Sequence, residues 1–203
     1  MQPPALFWMR ISRITVKPVK PDRIKWNKRY SEKTPGQMVP RIVRAYIHRA
    51  PSGCALDIAC GTGAVSLFLA GRGYRVDAVD ISDVALAALA GRHPDIRVVC
   101  ADLDTFDLTT GRYSVITNIR YLNRRLFPQM ITALRPGGLL LFESFLKSPE
   151  REMDRGFKRD YLLDENELSD VFASSLDILY YAESDSGCDL TPARLASLAG
   201  VKK

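Results

Sequence analysis

The chain has 203 residues, 46% hydrophobic and 26% charged. That suits one domain with a real core and excludes a disordered, collagenous or coiled-coil chain. No apolar stretch reaches the roughly 20 residues needed to cross a bilayer, so the sequence reads as a soluble, cytoplasmic protein without a membrane partner. The formal charge of +6 is unevenly spread: residues 1–50 hold 12 Lys/Arg against Asp22 and Glu32, a net +10, while the remainder carries −4. A basic segment on an acidic body raises the prospect of an anionic partner such as nucleic acid, phosphate or a small oxyanion. The plain alternative is a solvated tail.

Residues 1–22 contain Pro3, Pro4, Pro18 and Pro21 and no helical periodicity. They read as a basic flexible arm ahead of a single domain over 23–203. Their apolar run is too short, and lacks the preceding positive charge, for a secretory signal. A short helix is expected over 26–33, with Trp26 and Tyr30 on one face. A second starts at Pro40, where Ile42, Val43, Tyr46 and Ile47 recur at helical spacing. Strands and helices then alternate: strand 55–59, helix to Ala70, strand 75–79, a helix capped by Ser82, strands 96–100 and 113–117, helix 122–134 and strand 138–144. A helix opens at 164–168, and Leu176, Ile178 and Tyr180 begin a closing hairpin that ends in strand 195–199. The expected fold is α/β, a Rossmann-like doubly wound, mainly parallel seven-stranded sheet with an antiparallel last strand and helices on both faces. Cys54, Cys60, Cys100 and Cys188 form no C-x-x-C pair and stand apart from His48 and His93, so no metal site is expected. Three of the four lie in apolar runs, as reduced, buried thiols do.

The most informative stretch is Leu56-Asp-Ile-Ala-Cys-Gly-Thr-Gly-Ala64. A strand-to-helix turn with two glycines lets backbone approach a ligand closely and presents free N–H groups. Asp57, at the strand end, suits an ammonium group and repels a pyrophosphate. Asp80 ends the second strand, where an acid can take both hydroxyls of a ribose. Ala101-Asp-Leu103 ends the third, where Asp102 and a backbone N–H can read an adenine edge. Together these three strand ends describe a nucleoside carrying an amino acid. A nicotinamide dinucleotide fits poorly, because Ser66 stands where its fingerprint wants a third glycine or alanine.

Asp57-x-Ala-Cys-Gly-Thr-Gly63, Val79-Asp-Ile-Ser82, Ala101-Asp-Leu103 and Leu134-Arg-Pro-Gly-Gly138 resemble the motifs of class I S-adenosylmethionine-dependent methyltransferases. Within that superfamily, Trp26-Asn-Lys-Arg-Tyr30 and Arg120-Tyr-Leu-Asn-Arg-Arg-Leu-Phe-Pro128 resemble the bacterial tellurite-resistance-like subgroup. The resemblance implies S-adenosylmethionine as cofactor, with S-adenosylhomocysteine as product. Asp57, Gly61 and Gly63 would hold the methionine portion, Asp80 the ribose, and Ile81, Asp102 and Leu103 the adenine. Cys60 would pack in the cofactor loop rather than act as a nucleophile. Asn118, ending the fourth strand, would face the methyl group.

An Asn-Pro-Pro-Tyr signature is absent, which counts against DNA and protein-amide acceptors. The expected acceptor is a small molecule, anionic or soft (a thiol or reduced chalcogen). Asn118, Arg120 and Tyr121 are the candidate catalytic residues, and Trp26, Arg29 and Tyr30 the candidate substrate contacts. Arg29 and Arg120 can neutralise an anion, and Trp26 and Tyr30 can form a lid. His48 and His93 read as solvated, so no general base is evident. The alternatives are an RNA methyltransferase that uses the basic arm, with nucleic acid as a less favoured partner, and a cofactor-binding protein without catalysis. The protein is expected as a monomer or homodimer.

Overall fold

The computed structural model describes residues 21–32, 38–148, 159–184 and 194–203. In chain order these form α1 (Pro21–Glu32), α2 (Arg41–Tyr46), β1 (Cys54–Ile58), α3 (Ala64–Ala70), β2 (Arg75–Asp80), α4 (Asp83–Leu89), β3 (Ile96–Cys100), β4 (Tyr113–Ile119), α5 (Phe127–Ala133), β5 (Leu134–Phe145), α6 (Glu167–Phe172), β6 (Leu176–Ser184) and β7 (Leu195–Lys202). The arm expected over 1–22 lies outside the described residues as far as residue 20. Pro21 and Asp22 open α1.

The strands make one seven-stranded sheet in the order β3-β2-β1-β4-β5-β7-β6. β1 to β5 pair in parallel, and β7 runs antiparallel between β5 and β6. The order reverses between β1 and β4, which opens a crevice at the carboxyl ends of these strands. Both faces are covered, so the central strands are apolar on both sides. On one face Ile42 and Val43 of α2, Val65 and Leu69 of α3 and Leu89 of α4 pack on Ala55, Val115 and Leu141. On the other, Phe127 and Met130 of α5 and Leu168 and Phe172 of α6 pack on Leu56, Ile116 and Phe142. Among the described residues, no helix is long and apolar enough to cross a membrane.

Several local outcomes differ from expectation, each for a physical reason. The first helix starts at Pro21 rather than Trp26, because proline is tolerated in a first turn where its missing N–H has no partner to lose. The helix expected over 122–134 splits. A 3-10 turn (Arg124–Leu126) begins where the Asn123 side chain accepts from Arg125 N, and α5 restarts at Phe127 with Pro128 in its first turn. β5 begins at Leu134, ahead of the glycine pair, by pairing Leu134 with Tyr113 across a register shift. The cysteines are not all buried: Cys54 and Cys60 are half-buried and Cys100 is exposed, because β3 is an edge strand with an open side. Ser82 caps α4 as expected, its hydroxyl accepting from Ala85 N.

Candidate active site

The loop from β1 to α3 carries its strain in the backbone: φ is +52° at Ala59, +53° at Gly61 and +82° at Gly63. The two glycines are required for different reasons. A Cβ on Gly63 would lie 2.4 Å from Leu89 of α4, so this glycine lets the helix pack on the loop. A Cβ on Gly61 would lie 2.6 Å from Tyr30 Oη, so the tyrosine ring sits directly on the loop.

Asp80, at the end of β2, is buried and accepts from Gly61 N and Ser82 N, both at 2.8 Å. Burial raises its pKa, and the backbone donors of Ser82, Gly61 and Ile81 pull it back. It thereby ties the glycine loop to the start of α4. Asp57 is 2% exposed and accepts hydroxyls from Ser66 at 2.6 Å and Thr117 at 2.7 Å. Desolvation pushes its carboxyl up to about 6, against those two hydrogen bonds and with a further push from Asp80. The same burial, reinforced by Asp57 and Asp80, holds the Cys60 thiol well above its ordinary range. A neutral thiol is a weak nucleophile.

At the next strand ends Ile81 and Asp102 are half-buried and Leu103 is buried, with Asp102 accepting from Asp104 N at 3.0 Å. Asn118, one residue before the end of β4, is fully buried. Its Nδ2 donates to the Tyr121 carbonyl at 2.7 Å, while its Oδ1 has no partner. A buried acceptor without a donor is costly, and Asn118 lies beside Ile58 at the carboxyl end of β1.

α1 lies over this edge although none of its residues is fully buried. Asn27 donates to Asp83 at 2.7 Å and accepts from Ser82 Oγ at 2.7 Å, and Arg23 donates to Asp83 at 3.2 Å. These bonds set Tyr30 on Gly61. Burial, then the charge of Asp80, pushes the Tyr30 hydroxyl up to about 12. Trp26 stacks beside Tyr30 with ring centroids 6.1 Å apart. The anticipated residues therefore divide. Tyr30, Cys60, Gly61, Asp80 and Asp57 come together in one cluster. Arg29 instead stays exposed, with its guanidinium 5.2 Å from the Trp26 ring centroid. Arg120 is also exposed, turned by a left-handed backbone (φ +57°). Tyr121 is half-buried, its hydroxyl pushed up to about 12 by burial.

Sequence reasoning missed Arg23 and Asn27, whose spacing with Tyr30 marks one helical face once the helix is started at Pro21. It also missed Glu143 on β5, whose only signal is an acid inside an otherwise apolar run.

Residues 55–138 match the family described as "Methyltransferase domain". The matched stretch runs from β1 to the glycine pair of β5. The ribosomal RNA small subunit methyltransferase C of Alcanivorax borkumensis is 34% identical over 102 residues, covering 43% of this chain and 31% of that protein. The chain thus spans about a third of the length of this curated relative. Among solved structures, TehB from Haemophilus influenzae shares the fold with a TM-score of 0.69, at 20% identity over 88% of this chain and 67% of that one. The 1,6-didemethyltoxoflavin-N1-methyltransferase of Burkholderia thailandensis was solved with 1,6-didemethyltoxoflavin and S-adenosylhomocysteine bound. It has a TM-score of 0.66 at 17% identity, over 90% of this chain and 86% of that one.

The residues present at these strand ends fit S-adenosylmethionine as a cofactor. Gly61 offers backbone without a side chain, Asp80 offers two carboxylate oxygens at the end of β2, and Asn118 Oδ1 offers a buried acceptor that lacks a donor. Bound there, the cofactor supplies a methyl group activated on a sulfonium.

Proposed function

We propose that the protein transfers a methyl group from S-adenosylmethionine to a small molecule held between α1 and the carboxyl ends of β4 and β5. The observation that carries this reading is the seating of α1 on the cofactor loop, with Tyr30 on Gly61 and Asn27 and Arg23 bonded to the start of α4. A helix seated on that loop would shield the cofactor end of the crevice from water. In this reading Asp57, Gly61 and Gly63 line the methionine end, and each Asp57 oxygen keeps a spare lone pair for the ammonium group. Asp80 takes the ribose hydroxyls, Ile81, Asp102 and Leu103 take the adenine, and Asn118 stands at the methyl end. Trp26, Tyr30, Tyr121 and Arg120 border the acceptor, with Arg29 at the outer rim. The tellurite-resistance-like subgroup rests on the motifs from Trp26 to Tyr30 and from Arg120 to Pro128.

Two binding experiments test the reading. S-adenosylhomocysteine, and not NAD, is expected to raise the unfolding temperature, because a ligand selective for the native state must stabilise it, by about 2.7 kcal/mol at 100 times Kd. The Asp80→Ala variant is expected to lose that response. Stabilisation by NAD alone would overturn the cofactor assignment. S-adenosylmethionine bound and recovered intact, with no methylated product from any acceptor tested, would favour a binding protein over an enzyme.

The RNA reading keeps one observation in its favour, the 34% identity with an rRNA methyltransferase. It requires RNA affinity that falls steeply with salt and is lost on removing residues 1–20. Binding that ignores salt or the arm rules it out.

A further inference from the structure

Methyl transfer to an N–H or O–H leaves a proton to be removed, and the histidines are badly placed for that task. His48 lies in the segment entering β1 and His93 in the loop entering β3, both at the amino edge of the sheet, opposite the crevice. Among the described residues, the carboxyl edge holds one buried acid, Glu143, outside the proposed cofactor contacts. Glu143 follows the run Leu139–Phe142 in β5, pairs with Ile119 of β4 and Ser197 of β7, and is 8% exposed. Strand alternation puts it on the same face of the sheet as Asp57 and Thr117, one step nearer the open end. Ser197 Oγ donates to its Oε2 at 3.2 Å. Among the described residues no cation lies within ion-pair distance of it. The charged group facing it is Arg120, from the end of β4, while β6 presents Ala182 across Ser197. Burial raises its carboxyl above the ordinary range, against the pull of Arg120 and Ser197.

Arg120 supplies the second geometric mark. Its backbone N–H donates to the Glu143 carbonyl at 2.6 Å while its own φ is +57°, a conformation that costs a long side chain free energy. The chain turns there, at the carboxyl end of β4 beside Glu143 of β5.

We propose, resting on the methyltransferase reading above, that Glu143 is the general base of this site and that the acceptor is a neutral small molecule offering an N–H or O–H. The acceptor's lone pair bonds to the methyl carbon as the S–C bond breaks. The electron pair of that bond stays on sulfur, which leaves as a neutral thioether, and the acceptor proton passes to a Glu143 carboxylate oxygen. A thiolate needs no such base, and an oxyanion would face the carboxylate's own charge. The structure thus turns the expectation of an anionic or soft acceptor toward a proton-bearing one.

The test measures methylation from labelled S-adenosylmethionine between pH 5 and 9 on two panels: imidazole, indole, phenol and aniline, and then small thiols and selenite. Wild-type protein is expected to methylate members of the first panel, with a rate that falls on the acid side as Glu143 protonates. Glu143→Gln is expected to lose about 100-fold or more in kcat and the acid limb with it, while S-adenosylhomocysteine affinity stays within about threefold. Ser197→Ala is expected to keep most activity and move the acid limb to higher pH, because a hydrogen bond to the ionised carboxylate is gone. Methylation confined to thiols and selenite, no methylation of either panel, or a Glu143→Gln variant within about threefold of wild type overturns the proposal. A wild-type protein that fails to bind S-adenosylhomocysteine overturns the cofactor reading itself, so the two failures are told apart.

Discussion

Asp57 and Asp80 are both buried carboxylates two strands' width apart at most, yet their partners give them different duties. Asp80 accepts only backbone N–H groups, which fixes the loop around it. Asp57 accepts two side-chain hydroxyls and sits where desolvation outweighs them, pushing it up to about 6 from 3.8. A carboxyl whose folded pKa is raised favours folding below its unfolded value and loses that contribution as pH rises through the folded one. Relative to Asp57→Asn, the wild-type protein should therefore lose about 3 kcal/mol of stability between pH 4 and pH 6 and change little above. Chemical denaturation of both proteins across that range checks it. Equal slopes would mean Asp57 ionises normally. A cationic ligand end reverses the sign for binding, so S-adenosylhomocysteine affinity should weaken as pH drops below about 6.

Gly61 makes a second residue-scale case. Gly61→Ala is expected to cost about tenfold in S-adenosylhomocysteine affinity, from left-handed backbone strain and from displacement of the tyrosine. Adding Tyr30→Ala should restore part of the loss, since the added methyl would meet Tyr30 Oη. Simple additivity of the two changes would remove the argument that Tyr30 rests on the loop.

At the scale of elements, α1 differs from the other helices in what holds it. It has no buried residue and is fixed by Arg23, Asn27 and Tyr30 acting at a helix start and a glycine loop. Segments with few buried apolar contacts open locally at low cost. Asn27→Ala should then leave the unfolding free energy within about 1 kcal/mol of wild type while raising the dissociation rate of S-adenosylhomocysteine several-fold. Stopped-flow dissociation measures this directly, and an unchanged rate would make α1 a docked helix with no gating role. The glycine loop, Ser82 cap and parallel strands were legible because each follows from local chemistry: φ above zero, a hydroxyl before a helix, an apolar run. The start of α1 and the split at Asn123 were not, because they depend on a proline accepted in a first turn and on one side-chain cap.

At the scale of the molecule, two apolar layers hold a sheet whose functional groups gather at one edge. The ring cluster of Phe127, Phe142 and Phe172, with centroids 5.4–6.2 Å apart, lies under α5 and α6 on the face away from α1. Phe172→Ala should cost about 3–5 kcal/mol of stability and leave S-adenosylhomocysteine affinity nearly intact in the folded fraction. A matching loss of affinity would show that the crevice depends on this layer.

By itself, the sequence determined that strands and helices alternate, that a glycine loop follows the first strand, and that acids stand at three successive strand ends. These are properties of neighbouring residues, set by periodicity, backbone freedom and charge. Only the tertiary structure decided that Tyr30 sits on Gly61, that Asn118 is left with an unpaired acceptor, that Arg29 turns to Trp26, and that Glu143 is buried between β4 and β7. Those outcomes depend on strand order and register, which bring together residues far apart in the chain. The desolvation that gives a carboxylate its chemistry exists only once the layers have closed around it.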